Sequence, residues 1–281
     1  MTQANSTGLL SRAQLKDRAK GALCGKYGKM ILALLSITVL SHLFQLVIRS
    51  IVSILLEMIF LSGQTAALGL TAQEMINFRQ TAAYAEYFLK WYTPVDYIVS
   101  GLCQIFTSVL TAGLAYLSLK VACGQPILVS DIFYGYHNHF GKAFKISAFF
   151  VLIGQLTQLP NAVIRTLITD LSKEISIEQI LVLLGILLVC YVLYVIIYLG
   201  FSQTYFLLLD FPDKSAWNLI KLSHRIMKGH KWRFFLLELS FLPLLILCAL
   251  SFGIGSLLVE PYMQITYTFF FLNLMQSRDH N

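Results

Sequence analysis

Charge is scarce in this chain: 12% of its 281 residues are Asp, Glu, Lys or Arg, where ordinary soluble domains carry about 25%. With 57% of the residues hydrophobic, a soluble fold would have too few polar groups to cover its surface. Lipid must be the solvent for much of the chain, and the expected class is an all-α polytopic membrane helix bundle. The apolar runs are continuous, which excludes the roughly ten-residue alternating segments of a bacterial-type β-barrel. Cysteine is sparse too: Cys24, Cys103, Cys123, Cys190 and Cys248 are odd in number and lack CxxC or zinc-ligand spacing. They are expected as buried free thiols. No HExxH, GxSxG, P-loop or DxD-like motif occurs, so no catalytic residue and no cofactor is assigned, and the expectation is a non-enzymatic protein.

Taken in order, residues 1–8 read as a disordered tail of small polar groups. Leu9 to Lys29 sets Leu15, Ala19, Ala22 and Leu23 on one helical face with Arg12, Lys16, Arg18 and Lys20 largely elsewhere. Such a basic amphipathic helix suits an anionic membrane surface. About thirty polar and basic residues precede Ile31, so the apolar run after it is expected to stay attached as a membrane helix rather than be removed as a signal peptide. The spans follow as Ile31 to Ile48, with its helix continuing to Leu61, then Ile98 to Leu119, Ile146 to Ile164, Ile180 to Leu209 and Phe234 to Val259. Pro261 to Ser277 is short for a sixth span, and a re-entrant or interfacial segment is the alternative. Between spans, Gln64 to Thr93 is a polar connection whose Tyr84, Tyr87, Trp91 and Tyr92 suit the interface. Ser130 and Asp131 are expected to cap a second surface helix running through Gly135, Tyr136, His139 and Lys142. Asp213 or Ser215 is expected to cap a third.

Sixteen Lys and Arg residues flank one set of span ends and four the other, with Arg49 inside the first span. The positive-inside rule therefore puts both termini and all three surface helices in the cytoplasm. The net charge of +7 reports this topology; no Lys/Arg stripe with interleaved aromatics suggests nucleic acid. A shift of 204 positions sets Leu15 on Leu219, Leu23 on Met227, Gly25 on Gly229, Lys26 on His230 and Lys29 on Arg233, and Gly141 and Lys142 join on Gly28 and Lys29. These matches suggest a single integral membrane domain, 1–281, built from three units of amphipathic cytoplasmic helix plus transmembrane hairpin, at about 9–122, 127–209 and 212–277. Substrate sites of repeat-built transporters lie at repeat interfaces; a duplication kept for packing alone is the other reading.

The runs LSHRIMKGHKWRFFLLELSF and GIGSLLVEPY, the sequence Leu209-Asp210-Phe211-Pro212 and the N-terminal LKDRAKGALCGKYGK resemble the DUF975 family of bacterial integral membrane proteins. The resemblance covers nearly the whole chain and implies a Firmicutes-type protein of the cytoplasmic membrane, with no activity or site residues to carry over. Two positions depart from it. Leu199-Gly200 stands where the family commonly has Pro-Gly, so the proline that would break the fourth span is missing, and Leu242-Pro243 stands where a Trp often follows LSF.

The candidate functional residues are polar groups inside the spans. His42, Gln45, Arg49, Ser53 and Glu57 share one helical stripe, and a charge at the centre of a span costs roughly 2.5–3.5 kcal/mol unless it meets a partner or a wet cavity. Arg49 has three readings: a partner such as Glu238, a bound anion, or a place near the outer interface. Glu238 either acts in a site or snorkels back to the cytoplasmic surface. Gln104, Gln155, Gln158, Gln203 and Gln264 either line one cavity with this stripe or glue helices together. Lys16, Lys20, Lys142, Lys221, Arg225, Lys228 and Lys231 are candidates for anionic lipid headgroups at the cytoplasmic face. His137, His139, His224 and His230 lack a diagnostic metal spacing, and no metal is assigned. Three functions follow: handling of a small or amphiphilic molecule, alone or as a transporter subunit; a scaffold binding lipid or a partner, including a second copy; or an intramembrane lipid-modifying enzyme.

Overall fold

The computed structural model describes residues 9–68, 71, 73–74, 77, 82–169 and 177–279, and every regular element among them is helical. The tail at 1–8, the loop residues Asp170, Lys173 and Glu174, and the side chains of Tyr84, Tyr87, Trp91 and Gln158 lie outside the described residues. In chain order the helices are α1 (Arg12–Leu23), α2 (Tyr27–Leu68), α3 (Ala82–Ser108), α4 (Leu110–Ala122), α5 (Tyr134–Asn138), α6 (Phe140–Thr169) and α7 (Ile177–Phe201). They continue as α8 (Thr204–Asp210), α9 (Ala216–Met227), α10 (Lys231–Leu239), α11 (Leu242–Leu250) and α12 (Ser256–Asp279). Contacts divide the chain into two compact units, Thr38–Thr107 and Met1–Ile37 with Ser108–Asn281.

Among the described residues five helices are long and apolar enough to cross a membrane: Tyr27–Gly63, Tyr92–Ala122, Phe140–Thr157, Leu181–Asp210 and Lys231–Leu250. The segment Pro261–Ser277 is not one of them. It lies in α12, which fully buries Ile265, Thr266, Thr268 and Phe271 against α1, α4 and α11. A helix so enclosed hides hydroxyls among protein groups, and its composition no longer has to match lipid.

α1 and α9 start alike because each has a serine whose hydroxyl accepts from the backbone two to three positions into the helix. Ser11 Oγ accepts from Gln14 N at 3.3 Å and Ser215 Oγ from Asn218 N at 3.4 Å. Each is followed by a glycine in the left-handed region, Gly25 (φ +73°) and Gly229 (φ +87°), which lets the chain turn into the next helix. Their apolar faces are inside the protein: Leu15, Ala19 and Leu23 on α1, and Leu219, Ser223 and Met227 on α9, are at most 2% exposed. Both helices thus pack their apolar faces on the protein, while basic residues such as Lys20, Lys221 and Arg225 stay exposed.

The second surface helix is also corrected. In place of one helix from Ser130 to Lys142 the chain makes a 3-10 turn at Val129–Phe133, the short α5, and then α6 from Phe140. Asp131 holds the turn down, pairing with Lys120 at 2.8 Å and accepting from Leu128 N at 2.9 Å. Gly113 permits the approach: a Cβ there would stand 1.8 Å from the Ile132 carbonyl oxygen. Backbone on backbone cannot yield as a flexible side chain would. Of the cysteines, Cys103 and Cys248 are buried, Cys190 is half-buried, and Cys24 and Cys123 are exposed, so burial holds for only part of the set.

Gly113→Ala is expected to destabilise the protein by about 3 kcal/mol, the upper end of overpacking costs, because the whole turn must move. Thermal unfolding in detergent measures it, and an unchanged midpoint would contradict the close approach.

Candidate functional site

The fifth apolar segment is broken within the protein. α10 ends at Leu239 and α11 begins at Leu242, where Pro243 has no N–H to continue the ladder. At the break the carbonyl of Ser240 accepts from Lys16 Nζ of α1 at 2.9 Å, and the same ammonium stands 4.1 Å from the Phe241 ring centroid. Arg12 reaches Leu236 O at 3.5 Å, Arg233 donates to Leu10 O at 2.9 Å, and Leu10 N donates to Asn273 Oδ1 at 2.9 Å. Lys16, expected at the lipid surface, therefore points into the protein. Burial, then the charges of Arg12 and Lys20, hold its pKa below the usual lysine range. Lys20 stays exposed, 5.9 Å from the Tyr262 ring centroid.

A second interruption parts α7 from α8 at Ser202-Gln203, although the expected proline is missing. Hydroxyls supply what the helix ladder no longer does. Ser202, Ser223 and Thr204 donate to the carbonyls of Leu199, Gly200 and Phe201 at 3.3, 3.4 and 2.6 Å. Gly200 leaves room for two polar atoms, since Lys231 Nζ and His224 Nδ1 lie 3.0 and 3.2 Å from where a Cβ would be. Gln203 is 1% exposed; its Nε2 donates to Ser202 Oγ at 2.9 Å while its Oε1 has no partner.

Glu238 follows on α10. It stands between Phe234 and Phe241 at helical spacing, and the rings of both lie against Tyr267, at 5.2 and 6.1 Å. Its charge acts on the phenols of Tyr198 and Tyr267, and no cation among the described residues pairs with it. Tyr205 shares a 2.9 Å hydrogen bond with the buried Ser147 nearby on α6. Burial, then Arg233, lowers the pKa of His230 from its ordinary value, which keeps the imidazole neutral at pH 7. Gln155 on α6 and Gln264 on α12 are half-buried.

In the unit Thr38–Thr107, Arg49 makes a bidentate pair with Asp96, Nε to Oδ1 and Nη2 to Oδ2 both at 2.7 Å. Tyr92 donates to the same carboxylate at 3.2 Å. The partner of Arg49 is thus an acid that sequence reasoning missed, although Asp96 stands two residues before the second apolar run. The signal was its place there beside Tyr92 and Pro94. The side chains of Arg49 and Asp96 are 44% and 21% exposed, so the pair is reachable by solvent or headgroups. Gln45, Glu57 and Gln104 are half-buried, and His42 is exposed. Phe44 stacks on Phe106 at 5.2 Å below the pair.

The remaining basic candidates divide. Lys142 donates to the Pro212 carbonyl, and Lys231 is half-buried beside Gly200. Lys221, Arg225 and Lys228 are exposed, Lys221 at 5.4 Å from the Trp217 ring centroid. His137 Nδ1 lies 3.0 Å from Phe133 O, and the rings of His139 and His224 rest against Tyr134 and Phe201. Among the described residues no group of His, Cys, Asp or Glu is placed to hold a metal ion.

The structure is all-helical among the described residues, with five helices of a length and apolar composition that suit a membrane protein. The chain belongs to the DUF975 family: the family model described as "Protein of unknown function (DUF975)" matches residues 9–278, nearly the whole chain. No curated protein and no solved structure is a match for it.

Lys16→Met, which keeps the stem and removes the ammonium, is expected to cost about 1.5–3 kcal/mol, the worth of a charged hydrogen bond. Lys16→Arg is expected to keep part of that. Thermal unfolding that left Lys16→Met as stable as the parent would show that Ser240 O is satisfied by other means.

Proposed function

We propose that this is a non-enzymatic, multi-pass protein of the cytoplasmic membrane, with both termini in the cytoplasm, that handles a small amphiphilic molecule at the inner leaflet, alone or with a transporter partner. The observation that carries the reading is Glu238: a half-buried carboxylate with no cation paired to it among the described residues, set against Tyr198 and Tyr267. A charge in such a place calls for a partner. Tyr198 interacts in turn with Tyr205, which bonds Ser147, and Glu238 sits beside exposed Leu239 and Leu242. Polar groups next to open apolar surface suit an amphiphile.

The proposal includes the repeat. In its support, α1 and α9 are 204 positions apart at both ends, have the same length, the same serine cap and the same left-handed glycine, and bury matching positions. The middle unit departs from them at its surface helix. Crossings are assigned to α2, to α3 with α4, to α6 and to α7 with α8, which returns the chain to the side on which it started.

A second reading, a scaffold that captures anionic lipid or a partner, draws on the free basic face of α9, with Lys221, Arg225 and Lys228 all exposed. One comparison separates the two. Native mass spectrometry of the protein extracted in mild detergent is expected to find an amphiphile on the parent and on Lys221→Gln/Arg225→Gln/Lys228→Gln, and to lose it, by roughly tenfold or more in occupancy for a lost charge contact, in Glu238→Gln. Retention in Glu238→Gln with loss in the triple variant would favour the scaffold. Retention in both would remove the support for either.

A further inference from the structure

The last third of the chain contains a hairpin whose arms are charged at one end and bare at the other. From Leu239 to Val259 there is no Asp, Glu, Lys, Arg or His. Its tip, Leu250–Gly255, carries the most exposed apolar side chains of this region: Leu250 at 73%, Phe252 at 98% and Ile254 at 71%. A loop standing in water between two complete crossings would be expected to present polar groups. Large apolar side chains left in water forgo the gain of burial.

The backbone N–H groups of the tip all donate within the chain. Ser251 N, Phe252 N and Gly253 N donate to Leu247 O, Ala249 O and Cys248 O at 3.0, 3.2 and 2.9 Å. Ile254 N donates to Ser251 O at 3.2 Å, and Gly255 N to the Ser251 hydroxyl oxygen at 2.9 Å. Ser256, Leu257, Leu258 and Val259 continue the series onto Gly253, Ile254 and Gly255. No backbone N–H from Ser251 to Val259 needs a water molecule. Loops in water have no such requirement; backbone within hydrocarbon does. The turn is close enough that a Cβ at Gly255 would meet the Ser251 hydroxyl at 2.9 Å and Cys248 Cα at 3.1 Å, and Phe252 and Gly253 both adopt positive φ, +53° and +85°.

The depth of the tip follows from α1, whose charges mark where water begins. Lys16 reaches the descending arm at Ser240 and Phe241. Lys20 and Asp17 act on Tyr262 in the ascending arm, and Phe241 and Tyr262 face each other at 5.4 Å. From either mark to Phe252 there are about ten to twelve residues, or roughly 15–18 Å at helical rise. That is half of a hydrocarbon core of about 30 Å.

We infer that Phe241–Tyr262 is a re-entrant hairpin, entering the bilayer from the side of α1 and turning at Phe252 near the midplane, where its partner is lipid acyl chain. The fifth apolar segment is then a dip and not a crossing, and the sixth begins where that dip ends. The termini stay on one side either way. α12, returning past Tyr262, runs on as a protein-enclosed helix beside α1, which accounts for its buried threonines and asparagine.

The test is accessibility at the tip. In protein with Cys24, Cys103, Cys123, Cys190 and Cys248 replaced, Phe252→Cys and, separately, Ile254→Cys are reconstituted into phosphatidylcholine vesicles and exposed to a membrane-impermeant maleimide on each side. Both thiols are expected to react at least about tenfold more slowly than Lys20→Cys from either side, and fully once the protein is unfolded. Labelling from the side opposite Lys20→Cys would show a complete crossing, and labelling from the same side a hairpin lying outside the bilayer; either overturns the inference. Hydrogen exchange on the unsubstituted protein in nanodiscs reads the same point without a variant: protection of amides 251–259 agrees with the dip, and exchange as fast as that of an open loop contradicts it.

Discussion

Inside the protein or in lipid no solvent is at hand to satisfy a stray N–H or C=O, and this requirement governs the structure where its helices are interrupted. The break after Leu239 stands because Lys16 of α1 bonds Ser240 O. The break after Phe201 stands because three hydroxyls and the Cβ-free surface of Gly200 take over. The turn at Phe252 stands because the chain folds back on its own carbonyls. Each interruption is matched by donors brought from a neighbouring element or from the turn itself, and so each fixes where that neighbour must pack.

This explains why α1 is not a loosely attached surface helix. Its apolar face meets α12 and α4, its N-terminal backbone is held by Asn273 and Arg233, and Lys16 seals the opened fifth segment. A helix that reads as a membrane anchor by composition is thereby a structural part of the polar region around Glu238. Loss of α1 would free Ser240 O in the place least able to tolerate it.

Much of this was legible in the sequence where one residue decides one feature. Leu15 and Leu23 were readable as one apolar face, Leu219 and Met227 as their matches 204 positions on, and Ser215 as one of two candidate caps. Gly25 and Gly229 stood out as paired punctuation. The family was legible in the last third. What was hidden required knowing which helices touch. Asp96 is an ordinary acid until α3 lies against α2, and Gly113 is an ordinary small residue until the Val129–Phe133 turn lands on it. The break at Ser202-Gln203 has no proline to announce it. Composition alone ranked Pro261–Ser277 as a weak crossing because it cannot distinguish a helix enclosed by protein from one facing lipid. The polar candidates were found, but not their grouping, since Gln203 and Glu238 become significant only through what does and does not face them.

The central claim is that the basic ends of these helices share one side of the membrane and that side is the cytoplasm. Single cysteines at the exposed positions Lys20, Lys145 and Lys228, in protein freed of the exposed Cys24 and Cys123, test it in intact cells and in inside-out vesicles. The account predicts that an impermeant thiol reagent reaches all three in the vesicles and none in the intact cells. Reaction at any one of them from outside the cell would contradict it.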